Sequence, residues 1–280
     1  MHKPVLDENG QRLNGIRREK LRRTKDLQRL MEFRLLDDDF LAACCYGDTV
    51  CAELILRIIL EKPDLRVLDV QAHVSSEDLV HRPVRLDIRA VDGMEAKLYA
   101  RLYCPDCEPE RKTARQYSSM MDAYLFKENK NPDSLPETWL IFLMENDIMG
   151  KGLPFYRIER CCPETGQTFG DGSHILYVNG SFRSDMPAGK LIHDLSCTDA
   201  ADMYYDTLAE RVRYFKETTE GTETMCRAME KMRDQTYRDA KKKTVFRMFA
   251  AEKYTLEEIA GISGLTLEEV IKLKTGQDID

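Results

Sequence analysis

Residues 84–104, VRLDIRAVDGMEAKLYARLYC, constrain the fold of this chain most. Apolar residues occupy every second position on both sides of Asp92-Gly93, which predicts two antiparallel strands joined at that dipeptide. One acid, Asp87, stands in the middle of the first strand, sharing its side with Arg85 and Arg89. A two- or four-residue turn pairs odd positions with even ones and sets Asp87 near Leu98 or Ala100. Its face of the return strand then reads Ala96, Leu98, Ala100, Leu102, Cys104. A register slipped by one brings Lys97, Tyr99, Arg101 and Tyr103 there instead. Neither arrangement supplies a second carboxylate, and one Asp makes a poor site for a hard cation such as Mg²⁺.

The rest of the chain frames this hairpin. In DDDFLAACCYGDTVCAELILRIILEK, Asp39 is expected to cap a first helical segment and Thr49 a second, with Pro63 beyond its end. RVLDVQAHV (66–74), TWLIFLMEN (138–146), FYRIER (155–160) and HILYVNG (174–180) have strand composition, and 113–128 reads as a helix. From about 198 the pattern is helical, with a polar break expected at 218–224. This order predicts a three-layer α/β core with a helical C-terminal tail.

The tail ends in TLEEIAGISGLTLEEVIKLK, which carries two capping boxes, Thr255 with Glu258 and Thr266 with Glu269. Two short helices meeting at Gly264 follow, in the manner of a helix-turn-helix. Glu268 and Glu269 sit where such a unit would meet DNA, and phosphates repel them, so a packing role competes with a DNA-reading one. At the other end, QRLNGIRREKLRRTKDLQR (11–29) is strongly basic, read as a solvated helix or arm, or as a contact to a phosphate backbone.

Composition narrows the partners. A net charge of -7 argues against a surface that grips nucleic acid everywhere, so any DNA contact must come from local basic patches. No apolar run is long enough for a membrane helix, and MHKPVLDENGQRLNG lacks the apolar stretch of a signal peptide. Nine cysteines, an odd number including two adjacent pairs, fit a reduced cytoplasmic protein rather than a disulfide scaffold. Cys104 and Cys107 have the spacing of a zinc knuckle that Cys161-Cys162 would complete, weighed against plain reduced thiols.

Taken together, DDDFLAACCYGDTVCAELILRIIL, HRPVRLDIRAVDGMEAKLYARLYC, RKTARQYSSMMDAYLF and GKGLPFYRIERCCPETGQTFGDGSHILYVNG resemble the PD-(D/E)XK nuclease superfamily. Within it they are similar to the recombination-promoting nuclease, or putative transposase, group, over most of residues 37–215. The resemblance implies a restriction-endonuclease-like mixed sheet flanked by helices, and Mg²⁺-dependent cleavage of DNA. Asp87 matches the group's first metal-binding acid, and Asp39 an acid on its first helix. Aligned through Lys97-Leu98-Tyr99, the group's Glu-X-Gln positions fall on Leu102 and Cys104, so the second ligand is missing. Three segments are expected: a basic arm at 1–30, a nuclease-like domain at 31–217 and a helical tail at 218–280. The functional expectation is a transposase-like nuclease with weak or lost activity, Mg²⁺ being its cofactor if active. The rival is a non-catalytic module binding DNA or a protein partner.

Overall fold

The structure, a computed structural model, describes residues 15–74, 84–104, 111–129 and 131–277. In chain order the helices and strands begin with α1 (Gly15–Glu32), α2 (Asp38–Cys45), α3 (Thr49–Leu60), β1 (Arg66–Val74), β2 (Val84–Val91), β3 (Lys97–Tyr103) and α4 (Arg111–Asn129). They continue with β4 (Glu137–Met144), β5 (Phe155–Ile158), β6 (Ser173–Asn179), α5 (Pro187–Ser196), α6 (Asp206–Glu217), α7 (Thr219–Ala251), α8 (Leu256–Ser263) and α9 (Leu267–Lys274). They form two compact units, Leu27–Thr222 and Met1–Asp26 with Glu223–Asp280. Among the described residues, no helix is long and apolar enough to cross a membrane.

The larger unit is built on one mixed sheet in the order β1-β2-β3-β4-β6-β5. β1, β2 and β3 run antiparallel, β3, β4 and β6 run parallel, and β5 closes the far edge antiparallel to β6. The parallel step from β3 to β4 needs a crossover, and α4 supplies it. Side-chain alternation then sorts the residues between two layers. Tyr99, Tyr103, Leu140, Phe142, Met144 and Tyr177 face α4 and pack on its Ala114, Met121 and Leu125, which recur at helical spacing. The intervening positions, among them Leu86, Ile88, Ala100, Leu102, Ile141 and Val178, are buried on the opposite face, on which α2 and α3 lie.

Two helix starts differ from expectation by one or two residues. Asp37, not Asp39, is the N-cap of α2, and its carboxylate accepts the Arg34 N–H at 2.7 Å; Asp39 lies inside the first turn. Asp48, not Thr49, caps α3, its Oδ1 accepting the N–H groups of Val50 and Cys51 at 3.1 Å each. Asp outranks Thr as a cap, and the acid wins where the two are adjacent. Helix α5 falls on PAGKLIHDLS, a segment with no expected element. Pro187 in its first turn and Leu191, Ile192 and Leu195 on its buried side are the signals that mark it.

The polar break at 218–224 shrinks to one residue. Thr218 caps the end of α6, its Oγ1 donates to the Tyr214 carbonyl at 2.7 Å, and α7 starts at Thr219. Gly221 makes this junction fit, because a Cβ there would stand 2.0 Å from the Tyr214 carbonyl oxygen.

In the second unit, the end of α7 with α8 and α9 encloses a small core of Val245, Met248, Ile259, Val270 and Leu273. Both expected capping boxes are formed, and Gly264 takes a left-handed φ of 66° between the two helices. The Lys241 ammonium donates to the Gly264 carbonyl at 2.8 Å and clamps the turn. Within this unit residues 15–26 carry part of the basic stretch on α1, tied to α7 by ion pairs from Arg23 to Glu223 and from Arg233 to Asp26.

Candidate functional site

The hairpin turn decides what surrounds Asp87. Asp92 and Gly93 do not form a two-residue turn. Asp92 Oδ1 accepts the N–H groups of Met94 and Ala96 at 2.9 Å each, and Glu95 takes the left-handed conformation at φ 62°. The strands therefore join through Asp92–Ala96, an odd-length loop, and odd positions pair with odd ones. Asp87 lies opposite Arg101, not near Leu98 or Ala100, and its face of β3 reads Tyr99, Arg101, Tyr103. Leu102 pairs with Leu86 on the other face, so the position from which a second acid would meet Asp87 is 101, not 102.

Arginine fills that position. Arg101 Nε donates to Asp87 Oδ1 at 2.5 Å and its second guanidinium nitrogen to Oδ2 at 2.9 Å, a two-pronged ion pair. Arg101 also donates to the Tyr99 hydroxyl at 3.2 Å. Both ions are dry, Asp87 at 5% and Arg101 at 2% exposure. Burial pulls the Arg101 guanidinium down, but the hydrogen bonds and charge of Asp87 outweigh it and hold it above its ordinary value. Burial, with the Asp87 charge, pushes the Tyr99 hydroxyl up. Tyr117, Tyr103, Phe142 and Tyr177 stack in succession at 5.0, 5.7 and 5.1 Å and wall this face. A Mg²⁺ ion does not fit here, because Arg101 holds both carboxylate oxygens and its positive charge stands where a second acid would coordinate.

The other expected site residues are scattered. Asp39 is on α2, across the sheet from Asp87. Cys104 is buried on the α2 side, where burial and then the charges of Asp38 and Asp37 push its thiol well up. Cys107 lies outside the described residues. Cys161 is exposed, and the Cys162 thiol donates to Glu164 at 3.1 Å.

The GKGLPFY motif has a structural explanation. Asp147 accepts the N–H groups of Met149, Gly150 and Gly152 and the Tyr156 hydroxyl, the last at 2.6 Å. The Tyr156 oxygen in turn accepts the N–H groups of Lys151 and Leu153 at 3.2 Å each. The motif is a knot holding the loop before β5.

The two glutamates at the start of α9 are also accounted for. Glu269 accepts the Thr266 N–H at 2.6 Å within the capping box, and Glu268 pairs with Lys272 at 3.1 Å.

A cluster that spacing alone did not suggest lies at the end of α5. His193, Asp194 and Cys197 bring one donor atom each within 4.8 Å of one another, the group of this kind among the described residues. Its sequence signal is the His-X-X-X-Cys spacing, legible only once PAGKLIHDLS is known to be helical.

No family model, curated protein or solved structure matches this chain.

Proposed function

We propose that this chain carries a PD-(D/E)XK-type scaffold without its metal chemistry, and that it binds nucleic acid through its helical unit. The observation that carries the first half is the buried Asp87–Arg101 pair. Phosphodiester hydrolysis at Asp87 would require a cation where the guanidinium now sits, and two like charges cannot share that dry position. The mixed sheet flanked by helices accords with the scaffold.

The second half rests on how charge is divided. Leu27–Thr222 carries 34 acids against 23 lysines and arginines, whereas Met1–Asp26 with Glu223–Asp280 carries 19 lysines and arginines against 15 acids. An acidic sheet unit repels a phosphate backbone, and the basic stretches of α1 and α7 attract one. The capped, acidic first turn of α9 makes it a poor reader of a groove, so the reading assigns contact to backbone phosphates and not to bases.

Fluorescence anisotropy with a labelled duplex, without divalent metal, tests this. Binding should weaken log-linearly with salt, and Lys231→Glu with Lys243→Glu, both on exposed positions of α7, should lower affinity at least tenfold. No binding at low salt would remove the DNA half of the reading.

A further inference from the structure

We propose that β5 is the contact surface for a second copy of this chain, the two strands pairing antiparallel about a two-fold axis at Ile158. This surface lies apart from the Asp87 locus, and the proposal does not rest on nucleic-acid binding. Among the described residues β5 is the outer strand of the sheet, joined to β6 on one side only. Past Ile158 the chain runs on as a hairpin arm in which Cys161 bridges Thr168, so the open edge is longer than β5 itself.

The backbone phase fixes where such an axis can lie. The Pro154 carbonyl accepts the Asn179 N–H at 2.9 Å, and the Arg160 carbonyl accepts the Phe169 N–H at 2.8 Å. Even positions therefore turn their polar groups inward, and odd positions turn theirs outward, which sets the N–H and C=O of Arg157 and Glu159 at the edge. An antiparallel pair alternates hydrogen-bonded and non-hydrogen-bonded positions. An axis at Ile158 meets that rule. Arg157 exchanges both bonds with Glu159 of the second copy, symmetry repeats the pair, and Ile158 faces Ile158 without bonding.

The side chains select the same register. Arg157 and Glu159 share one face of the strand, so the pairing sets opposite charges against each other twice. In-chain contacts hold both on that face, Arg157 with Glu61 at 2.9 Å and Glu159 with His174 at 3.2 Å. On the other face Ile158, 41% exposed, is covered by its own mate, and Arg160 comes opposite the Tyr156 ring. An axis moved by one residue sets Arg157 against Arg157 or Glu159 against Glu159. An axis moved by two sets these charges opposite Leu153 and Phe155, or opposite Cys161 and Pro163. Charges on an edge strand ordinarily repel foreign strands, whereas this pattern is complementary to itself. A contact of this length is smaller than a permanent interface, which puts the dimer in the weak, concentration-dependent class.

Sedimentation velocity on the full chain, over a wide concentration range at low salt, tests the proposal. The parent should show a reversible monomer–dimer equilibrium. Arg157→Glu sets Glu against Glu twice and should raise the dissociation constant about tenfold or more. Arg157→Glu with Glu159→Arg restores opposite charges between the copies and should return it to within about threefold of the parent. Residue 157 still opposes Glu61 in that double variant, so the rescue separates the contact between copies from the in-chain pair. As a second readout, Ile158→Cys in a background of Cys161→Ser and Cys162→Ser should form a covalent dimer with oxidised glutathione, which takes up the two electrons and two protons. Arg160→Cys in the same background stands about 13 Å from its own mate in this register and should not cross-link. Circular dichroism confirms that each variant folds. A parent that stays monomeric, a dimer indifferent to Arg157→Glu, a charge swap that fails to rescue, or an Ile158→Cys variant that does not cross-link would overturn the proposal.

Discussion

Replacing Arg101 by Met should be among the most damaging single changes in the sheet unit, and replacing Asp87 at the same time should repair it. Arg101→Met keeps the volume and the apolar stem but removes the guanidinium from a carboxylate only 5% exposed. Breaking a buried pair from one side costs about 3–5 kcal/mol, because the remaining charge loses its counter-ion without regaining water. The lower figure applies here, since Asp87 has a further interaction beyond Arg101. Substituting both partners with apolar residues of similar volume is commonly neutral or stabilising, by up to about 4 kcal/mol. Urea unfolding followed by the fluorescence of Trp139, the single tryptophan, reads the sheet directly because Trp139 lies in β4 beside β3. With a urea slope of about 2 kcal/mol/M, Arg101→Met should lower the midpoint by roughly 1.5 M. Asp87→Leu with Arg101→Met should return it to within about 0.5 M of the parent. A single variant as stable as the parent, or a double variant no better than the single, would refute the account of this pair.

Three further outcomes follow from other parts of the structure. The Glu137 carboxyl is held down from 4.5 to about 2, first by its hydrogen bond with His174 and then by Lys62, against burial. Its contribution to stability is full above pH 4.5 and is lost as pH falls through 2, so Glu137→Gln should flatten the acid limb of a stability–pH curve in that window. Gly221→Ala should cost about 1–3 kcal/mol in thermal or urea unfolding, because the added methyl meets the Tyr214 carbonyl and the backbone has to shift. Glu268→Lys removes an acid from the α9 surface without touching the capping box and should tighten duplex binding in the anisotropy assay. Glu269→Lys should instead destabilise α9 by about 1 kcal/mol, seen as a lower thermal midpoint, because it breaks the box.

The strands were legible because their signals are local. Alternation marks β2 and β3, and the apolar run of 138–146 marks β4, without reference to anything distant. The boxes of Thr255 and Thr266 are equally local and formed as read. What failed was parity. Asp92-Gly93 looks like a two-residue turn, yet the Asp92 side chain organises a five-residue loop, and the change of parity sets Arg101 opposite Asp87 where Leu98 or Ala100 was expected. The missing second acid was visible from sequence, since neither register offers one. The arginine that takes its place was visible only as one of two open registers. The His193 cluster was hidden for a different reason: its side chains come together only after an unrecognised helix, α5, brings His193 and Cys197 onto one side.

At the Asp87 locus an internal ion pair stands where a metal-binding chain would hold a cation. Calorimetric titration with Mn²⁺, run alongside Mg²⁺-dependent plasmid cleavage, tests it on the parent, Asp87→Ala and Arg101→Glu. The parent should show no stoichiometric site assignable to Asp87 and no cleavage, and Arg101→Glu, with two carboxylates facing each other, should acquire a Mn²⁺ site that raises its thermal midpoint. Mn²⁺ binding and cleavage by the parent, both abolished by Asp87→Ala, would contradict the claim and identify a working metal centre.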